Sequence, residues 1–346
     1  MDGRIDYMIE RILGSLTMAA IGDAMGAATE NLPFDEIRLK FAGPLEKLIE
    51  PGKTAFAYGN KAGEVTDDFS QIYLICQNIL KNQGMIDRDI IKKSIIEWSD
   101  IPHYFNRFAG PTTRSAIEMY KNNLSEIKAL PGAVTVDYAS KATNGSAMKI
   151  SPAGLFHPGD YEKALEDAII ITKVTHDNSL SISGACAVAL SVSESLKESA
   201  TMDSVIEAGL LGAKLGEEQG KKYSKHVPGP SVYRRIQLAL DIANGSGEKI
   251  DKLLKLYEVV GSGLHVSEAV PCAYGIVALN KETPYQATID AVNIGYDTDT
   301  IATIVGSMTG ALVSVDETVK SKLSVIEKAN EMDIRGLASN IAEIVK

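Results

Sequence analysis

Aromatic side chains are scarce in this chain of 346 residues: Phe, Trp and Tyr make up 6%, and Trp98 is the single tryptophan. A core with so few large rings has to be packed from aliphatic and small side chains. Cysteine is scarce as well. Cys76, Cys186 and Cys272 are odd in number and form no Cys-x-x-Cys pair. A disulfide framework and a zinc–thiolate site are therefore disfavoured, and a reducing cytoplasm is the expected setting. Positive charge is in deficit: Lys and Arg total 35 against 45 Asp and Glu, a net charge of −10. With a pI near 5.1, the chain lacks the broad basic surface that nucleic acid or an acidic membrane requires. A small phosphate-bearing ligand held by local donors remains compatible with that balance. The longest uncharged apolar runs, 178–193 and 301–315, contain Gly, Ser and Thr. They fall short of the roughly 20 residues of a spanning helix and are expected to be buried core helices. The first residues include Asp2, Arg4, Asp6, Glu10 and Arg11, which is not the basic-then-apolar order of a signal peptide.

What is present reads as globular and helical. Hydrophobic residues make up 45% and charged residues 23%, ordinary values for a folded domain. Length alone suggests two domains. However, no long Pro/Gly/Ser tract or internal repeat divides the chain, so one domain over residues 1–346 is expected. Phe69, Ile72, Tyr73, Cys76, Ile79 and Leu80 fall on one face of a 3.6-residue repeat, as do Ile334, Leu337, Ala338, Ile341, Ile344 and Val345. The best candidate strand, Ala133 to Tyr138, is short. The expected class is all-α, an orthogonal bundle of many helices. Three segments are built mostly of small residues: Gly14 to Ala28, Ser181 to Ser193 and Ile301 to Leu312. Glycine inside a helix costs about 1 kcal/mol against alanine, so these segments predict helices whose backbones approach closely. Residues 31–60, 109–113, 130–132, 227–231 and 244–247 read as non-periodic or loop segments.

Acidic residues cluster at two predicted helix starts. Thr66-Asp67-Asp68 precedes the helix from Phe69, and Asp297-Thr298-Asp299-Thr300 precedes the run from Ile301. Thr and Asp are good N-caps, so capping alone would account for either cluster. Yet capping needs one side chain, and each boundary crowds two carboxylates and at least one hydroxyl. Like charges repel unless a cation or hydrogen bonds offset them. The all-oxygen donor set suits a hard cation such as Mg²⁺ or Mn²⁺, and the two starts together would suffice for a two-metal site. Asp23, within Gly22-Asp23-Ala24-Met25-Gly26, is an acid inside a small-residue helix and needs a partner if buried. The turn Thr143-Asn144-Gly145-Ser146 offers backbone N–H groups, although ordinary turns look the same. His176 sits at a capped helix start. The run from Lys221 to Arg235 carries Lys221, Lys222, Lys225, Arg234 and Arg235 without an acid; it is either a solvated helix end or a phosphate-facing loop.

Taken in order, these segments resemble the ADP-ribosylglycohydrolase family, of the dinitrogenase reductase-activating glycohydrolase type. The resemblance rests on Gly22-Asp23-Ala24-Met25-Gly26 with Glu30, on Thr66-Asp67-Asp68 and on Gly110-Pro111-Thr112-Thr113-Arg114. It continues through Thr143-Asn144-Gly145-Ser146-Ala147-Met148, Thr175-His176, Glu268-Ala269-Val270-Pro271 and Gly295-Tyr296-Asp297-Thr298-Asp299-Thr300. It implies a single all-α domain with two divalent cations, Mg²⁺ or Mn²⁺, in a central cleft. By position it implies Thr66, Asp67, Asp68, Asp297, Asp299 and Thr300 as metal ligands, with Asp23 supporting them. Glu30, Asp67 and Asp299 would serve catalysis. Asn144, Gly145, Ser146 and His176 would face the substrate, an ADP-ribosylated protein or a small ribosyl compound. Two positions depart from the pattern. Phe69 stands where Thr is common and is expected in the core. Tyr296 stands where Gly is common and is expected to narrow the cleft or stack on a base. A member that binds without catalysis, or serves structurally as crystallin-like relatives do, is the first alternative; a metal-dependent phosphohydrolase is the second.

Overall fold

A computed structural model describes residues 2–129, 133 and 135–345. Among these residues the secondary structure is helical, with two isolated bridges, Thr143 to His265 and Asn178 to Lys225, and no strand. In chain order the helices are α1 (Asp2–Gly26), α2 (Phe34–Lys40), α3 (Asp67–Lys81), α4 (Arg88–Ser99), α5 (Pro102–Phe108) and α6 (Pro111–Lys121). Then come α7 (Ser151–Leu155), α8 (Tyr161–Thr175), α9 (Ser179–Ser195), α10 (Met202–Tyr223), α11 (Val232–Asn244) and α12 (Lys249–Lys255). The last are α13 (Val266–Ala278), α14 (Pro284–Val292), α15 (Thr298–Thr309), α16 (Glu317–Asn330) and α17 (Ile334–Ile344). The all-α expectation holds, and one continuous apolar cluster runs from Ile12 on α1 to Ala342 on α17.

The small-residue segments form the centre. Every residue of α9 and of α15 is buried. Helices α1 and α15 pack antiparallel through small residues four apart. A Cβ on Gly14 would overlap Gly310 O, one on Gly22 would overlap Ala302 O, and one on Gly306 would overlap Met18 O. As one number rises by four the other falls by four, which defines the antiparallel register. At its end a Cβ on Gly26 would overlap the Asp299 backbone, so the last turn of α1 abuts the first turn of α15. Helices α9 and α10 repeat the device, with Gly212 against Cys186 and Gly216 against Ser183. Overpacking typically costs 1–3 kcal/mol, and here the obstacle is backbone that cannot rotate away. Gly306→Val is therefore expected to lower stability by about 3 kcal/mol, read as a fall in the urea midpoint; an unchanged midpoint would mean that the two backbones are not in contact there.

Where loops were expected, two segments differ. Residues 31–60 contain the short helix α2. The stretch 109–113 is loop only to Gly110, because Pro111 begins α6. Pro suits the first helical turn, where its missing N–H is no loss. The expected loop 130–132 lies outside the described residues, as does part of the candidate strand 133–138. Phe69 is fully buried as expected, and Trp98 donates from Nε1 to Ser70 Oγ at 2.9 Å. Among the described residues no helix is long and apolar enough to cross a membrane.

Candidate active site

The contact between α1 and α15 brings the acidic segments together. Thr298 Oγ1 donates to Gly26 O at 2.9 Å, and Thr29 Oγ1 donates to Val292 O at 2.6 Å. These bonds tie the segment carrying Glu30 to the end of α14 and the start of α15. From the other side, Asp23 on α1 receives the start of α3. Thr66 N donates to both Asp23 oxygens at 3.0 Å, Thr66 Oγ1 donates to Asp23 Oδ1 at 2.8 Å, and Phe69 N donates to Asp23 Oδ2 at 2.9 Å. Asp23 thus acts as a helix cap supplied by another helix, and its buried carboxylate gains the partners that burial demands. Both sequence-predicted helix starts meet over one cavity.

That cavity has a volume of about 320 Å³ and carries Glu30, Asp67, Asp68, Asp297, Asp299 and Thr300 on its walls. Its size falls in the range of small-ligand sites, roughly 300–1,000 Å³. Oxygens of Asp23, Asp68 and Asp299 all lie within 4.8 Å of one another, and so do those of Glu30, Asp297 and Asp299. Asp299 is common to both groups. Asp68 Oδ1 and Glu30 Oε2 are buried without a hydrogen-bond partner among the described residues. Orphaned buried carboxylate oxygens are costly, and their proximity raises the cost further. Burial lifts Asp23 to about 6 and, helped by the Asp23 charge, Asp67 to about 8. Burial and neighbouring carboxylates push Asp68, Asp299 and Glu30 well above the ordinary range. Burial raises Asp297 too, against hydrogen bonds from its neighbours. A buried, all-oxygen set with unpartnered lone pairs fits a hard divalent cation, which would relieve both the repulsion and the missing bonds.

The remaining predicted residues divide. Asn144 and Gly145 line the cavity. Asn144 Nδ2 donates to Asp297 Oδ2 at 2.5 Å, and Asn144 N donates to Leu264 O at 2.8 Å, which fixes the short helical turn 144–146 over the carboxylates. Three predicted residues stand elsewhere. Ser146 is fully buried and its hydroxyl donates to Thr143 O, so its side chain is spent on the turn itself. His176 is buried behind Gly145, its Nε2 paired with Thr143 Oγ1 at 2.8 Å and Nδ1 with Thr175 Oγ1 at 2.7 Å. Burial and the Lys149 charge drive its pKa down, so the neutral ring braces the loop from outside the cavity. Tyr296 is 43% exposed with its ring beside Gly263 and adopts φ 65°. That left-handed backbone is held by Tyr296 N donating to Leu32 O and Asn31 N donating to Tyr296 O. Its ring is not among the groups that line this cavity. Thr66 lies beneath the floor, between Asp23 and Asp68. In the basic run, Arg235 donates to Ser267 O and Lys221 pairs with Glu217, both away from the carboxylates.

Sequence reasoning missed part of the wall. Phe56 and Phe108 line the cavity with ring centroids 6.2 Å apart. Neither had a sequence signal, because a long irregular segment brings Phe56 there. Lys149 was also missed, although a lysine among Ala147, Met148 and Ile150 is visible as an oddity.

A helical protein whose central cleft is floored by buried, cation-ready carboxylates is the class that fold and site define. The chain belongs to the ADP-ribosylglycohydrolase family, whose sequence profile matches residues 5–345. It is 28% identical over 340 residues to YegU of Escherichia coli strain K12, covering 96% of this chain and 97% of that protein. It is 23% identical over 353 residues to the human ADP-ribosylhydrolase ARH3, covering 94% and 92%. The ADP-ribosylarginine hydrolase Tri1 of Serratia proteamaculans is 24% identical over 351 residues, covering 97% and 78%. A solved structure titled ADP-ribosylglycohydrolase-related protein complex superposes with a TM-score of 0.66 at 18% identity, covering 99% of this chain and 100% of that one. That likeness shows the shared fold.

Proposed function

We propose that this chain is a divalent-cation-dependent hydrolase that cleaves an ADP-ribosyl bond at the anomeric carbon of the ribose. Its product is ADP-ribose, released in the cytoplasm from a modified protein or a small molecule. The observation that carries the reading is the pair of three-carboxylate groups sharing Asp299 on the wall of a small-molecule-sized cavity. Two divalent cations, Mg²⁺ or Mn²⁺, held by Thr66, Asp67, Asp68, Asp297, Asp299 and Thr300, would supply charge stabilisation at the ribose hydroxyls and acidify a nearby water. Asp23 orients Thr66 and the start of α3 beneath that set.

The chain's own groups supply the rest. Glu30 presents an unpartnered Oε2 beside Asp297 and Asp299 and holds a pKa raised first by burial and then by Asp297, Asp67 and Asp23. A carboxylate with raised basicity is a competent acceptor for a proton from the attacking water. Asn144, oriented by Asp297, and the Gly145 backbone face the substrate. Phe56 and Phe108 form an apolar wall of the cavity. Glu30→Gln, assayed at saturating Mn²⁺, is expected to lower turnover by roughly 10²–10⁴-fold. Unchanged turnover would remove Glu30 from the chemistry. Product analysis tests the reaction class: free ADP-ribose supports hydrolysis at the ribose, whereas AMP with ribose phosphate would assign the carboxylates to a phosphohydrolase.

A further inference from the structure

Among the described residues no Lys or Arg lines the cavity, yet one lysine lies behind it. Lys149 is fully buried, and its ammonium donates to Gly145 O at 2.6 Å. Among the described residues its ammonium is within ion-pair distance of no carboxylate, although Asp67 and Asp68 act on it across space. Burial lowers its pKa to about 8 against the opposing pull of those two carboxylates. In return its charge favours the ionised form of Asp67 and the neutral form of His176.

A buried counter-ion placed for stability alone would bond its carboxylates directly, since that contact is what offsets desolvation. Lys149 instead spends its hydrogen bond on a backbone carbonyl and stands off the acids. This leaves carboxylate lone pairs open, as Asp68 Oδ1 is. A compact, localised ammonium charge in that position still stabilises the acids through space. It also repels any second cation that approaches them, because the interaction is strong in a buried, low-dielectric setting.

We propose that Lys149 is a positioning residue with two tasks: it fixes the Gly145 carbonyl of the substrate-facing turn, and it is a standing counter-ion against which divalent cations compete for Asp67 and Asp68. The inference rests on the cation-site reading above and adds the element that sets cation affinity. Lys149 lets the cluster fold before it is loaded and keeps the ions exchangeable. The test is Mn²⁺ titration of the EDTA-stripped full chain by calorimetry at pH 7.5. Lys149→Met and Lys149→Gln are expected to bind Mn²⁺ at least about tenfold more tightly than wild type. Lys149→Arg, which keeps the charge, is expected to stay within about twofold. The cation-free Lys149→Met protein should melt at a lower temperature than wild type and recover most of the difference on adding Mn²⁺. Should Lys149→Met not fold, Lys149→Gln decides, because it can still donate to Gly145 O. Unchanged or weaker Mn²⁺ affinity in the folded neutral variants would overturn the counter-ion. Absence of Mn²⁺ binding to wild type would overturn the cation-site reading itself and this inference with it.

Discussion

Asp299→Ala is expected to reduce ADP-ribose release at least 10³-fold and, in the cation-free protein, to raise the melting temperature by a few degrees. The two effects have one cause. Asp299 belongs to both three-carboxylate groups, so its loss leaves neither with a full set of oxygens. Burial, then Glu30, Asp68, Asp297 and Asp23, make its ionised form unfavourable. Without a cation its removal relieves the repulsion among the remaining carboxylates. A gain of about 2 kcal/mol moves the melting temperature of a chain this long by roughly 3 °C. Saturating Mg²⁺ or Mn²⁺ should reverse the order, because only wild type gains a well-held ligand that binds the native state alone. A variant that is both slower and less stable without cations would show that Asp299 is a structural cap, the simpler reading its position at the start of α15 allowed.

The second large effect is on pH. The cation-free protein is expected to lose several kcal/mol of stability between about pH 4 and pH 8. An acid whose folded pKa is raised above its unfolded value stabilises the fold below the unfolded pKa, and that contribution is lost as pH rises through the folded value. Asp23 at about 6 and Asp67 at about 8 span this window, and Asp68, Asp299, Glu30 and Asp297 are raised in the same direction. His176 opposes the trend at low pH, because burial depresses its pKa and the unfolded chain binds the proton more readily. One opposing group does not outweigh six acids. Lys149, depressed to about 8, opposes the trend only at and above that pH. Urea midpoints of EDTA-treated protein at pH 5 and pH 8 provide the check. A higher midpoint at pH 5 is expected, with the difference shrinking in saturating Mg²⁺; a higher midpoint at pH 8 without cations would contradict the repulsive cluster.

Local features of this fold were legible in the sequence. The apolar repeat from Phe69 placed α3, and the small-residue runs marked the helices that the structure buries at the centre. Thr66-Asp67-Asp68 and Asp297-Thr298-Asp299-Thr300 marked both helix starts because capping chemistry is local. Their meeting was not legible from spacing. It depends on the register between α1 and α15, set by Gly14, Gly22 and Gly306 against a partner some 280 residues away. Small residues announce that a backbone will come close, but not which one. The placement of the side chains off the cavity wall shares that origin. Ser146, His176 and Tyr296 sit in segments that border the cleft, and which way each side chain points is decided by Thr143, Thr175 and Gly263, contacts between separate segments for His176 and Tyr296. Lys149 escaped notice because its role is electrostatic and acts on Asp67 and Asp68 from far along the chain.

The central claim is that these carboxylates hold cations that make the cleft an ADP-ribosyl hydrolase. Its most direct test is release of ADP-ribose from arginine-linked and serine-linked ADP-ribosyl peptides by EDTA-stripped protein, before and after adding Mg²⁺ or Mn²⁺. The account predicts negligible release without cations, restored release from at least one peptide with them, and none from Asp299→Ala under either condition. Equal release by stripped and reloaded protein, or no release from either peptide by wild type with Mn²⁺ bound, would contradict it.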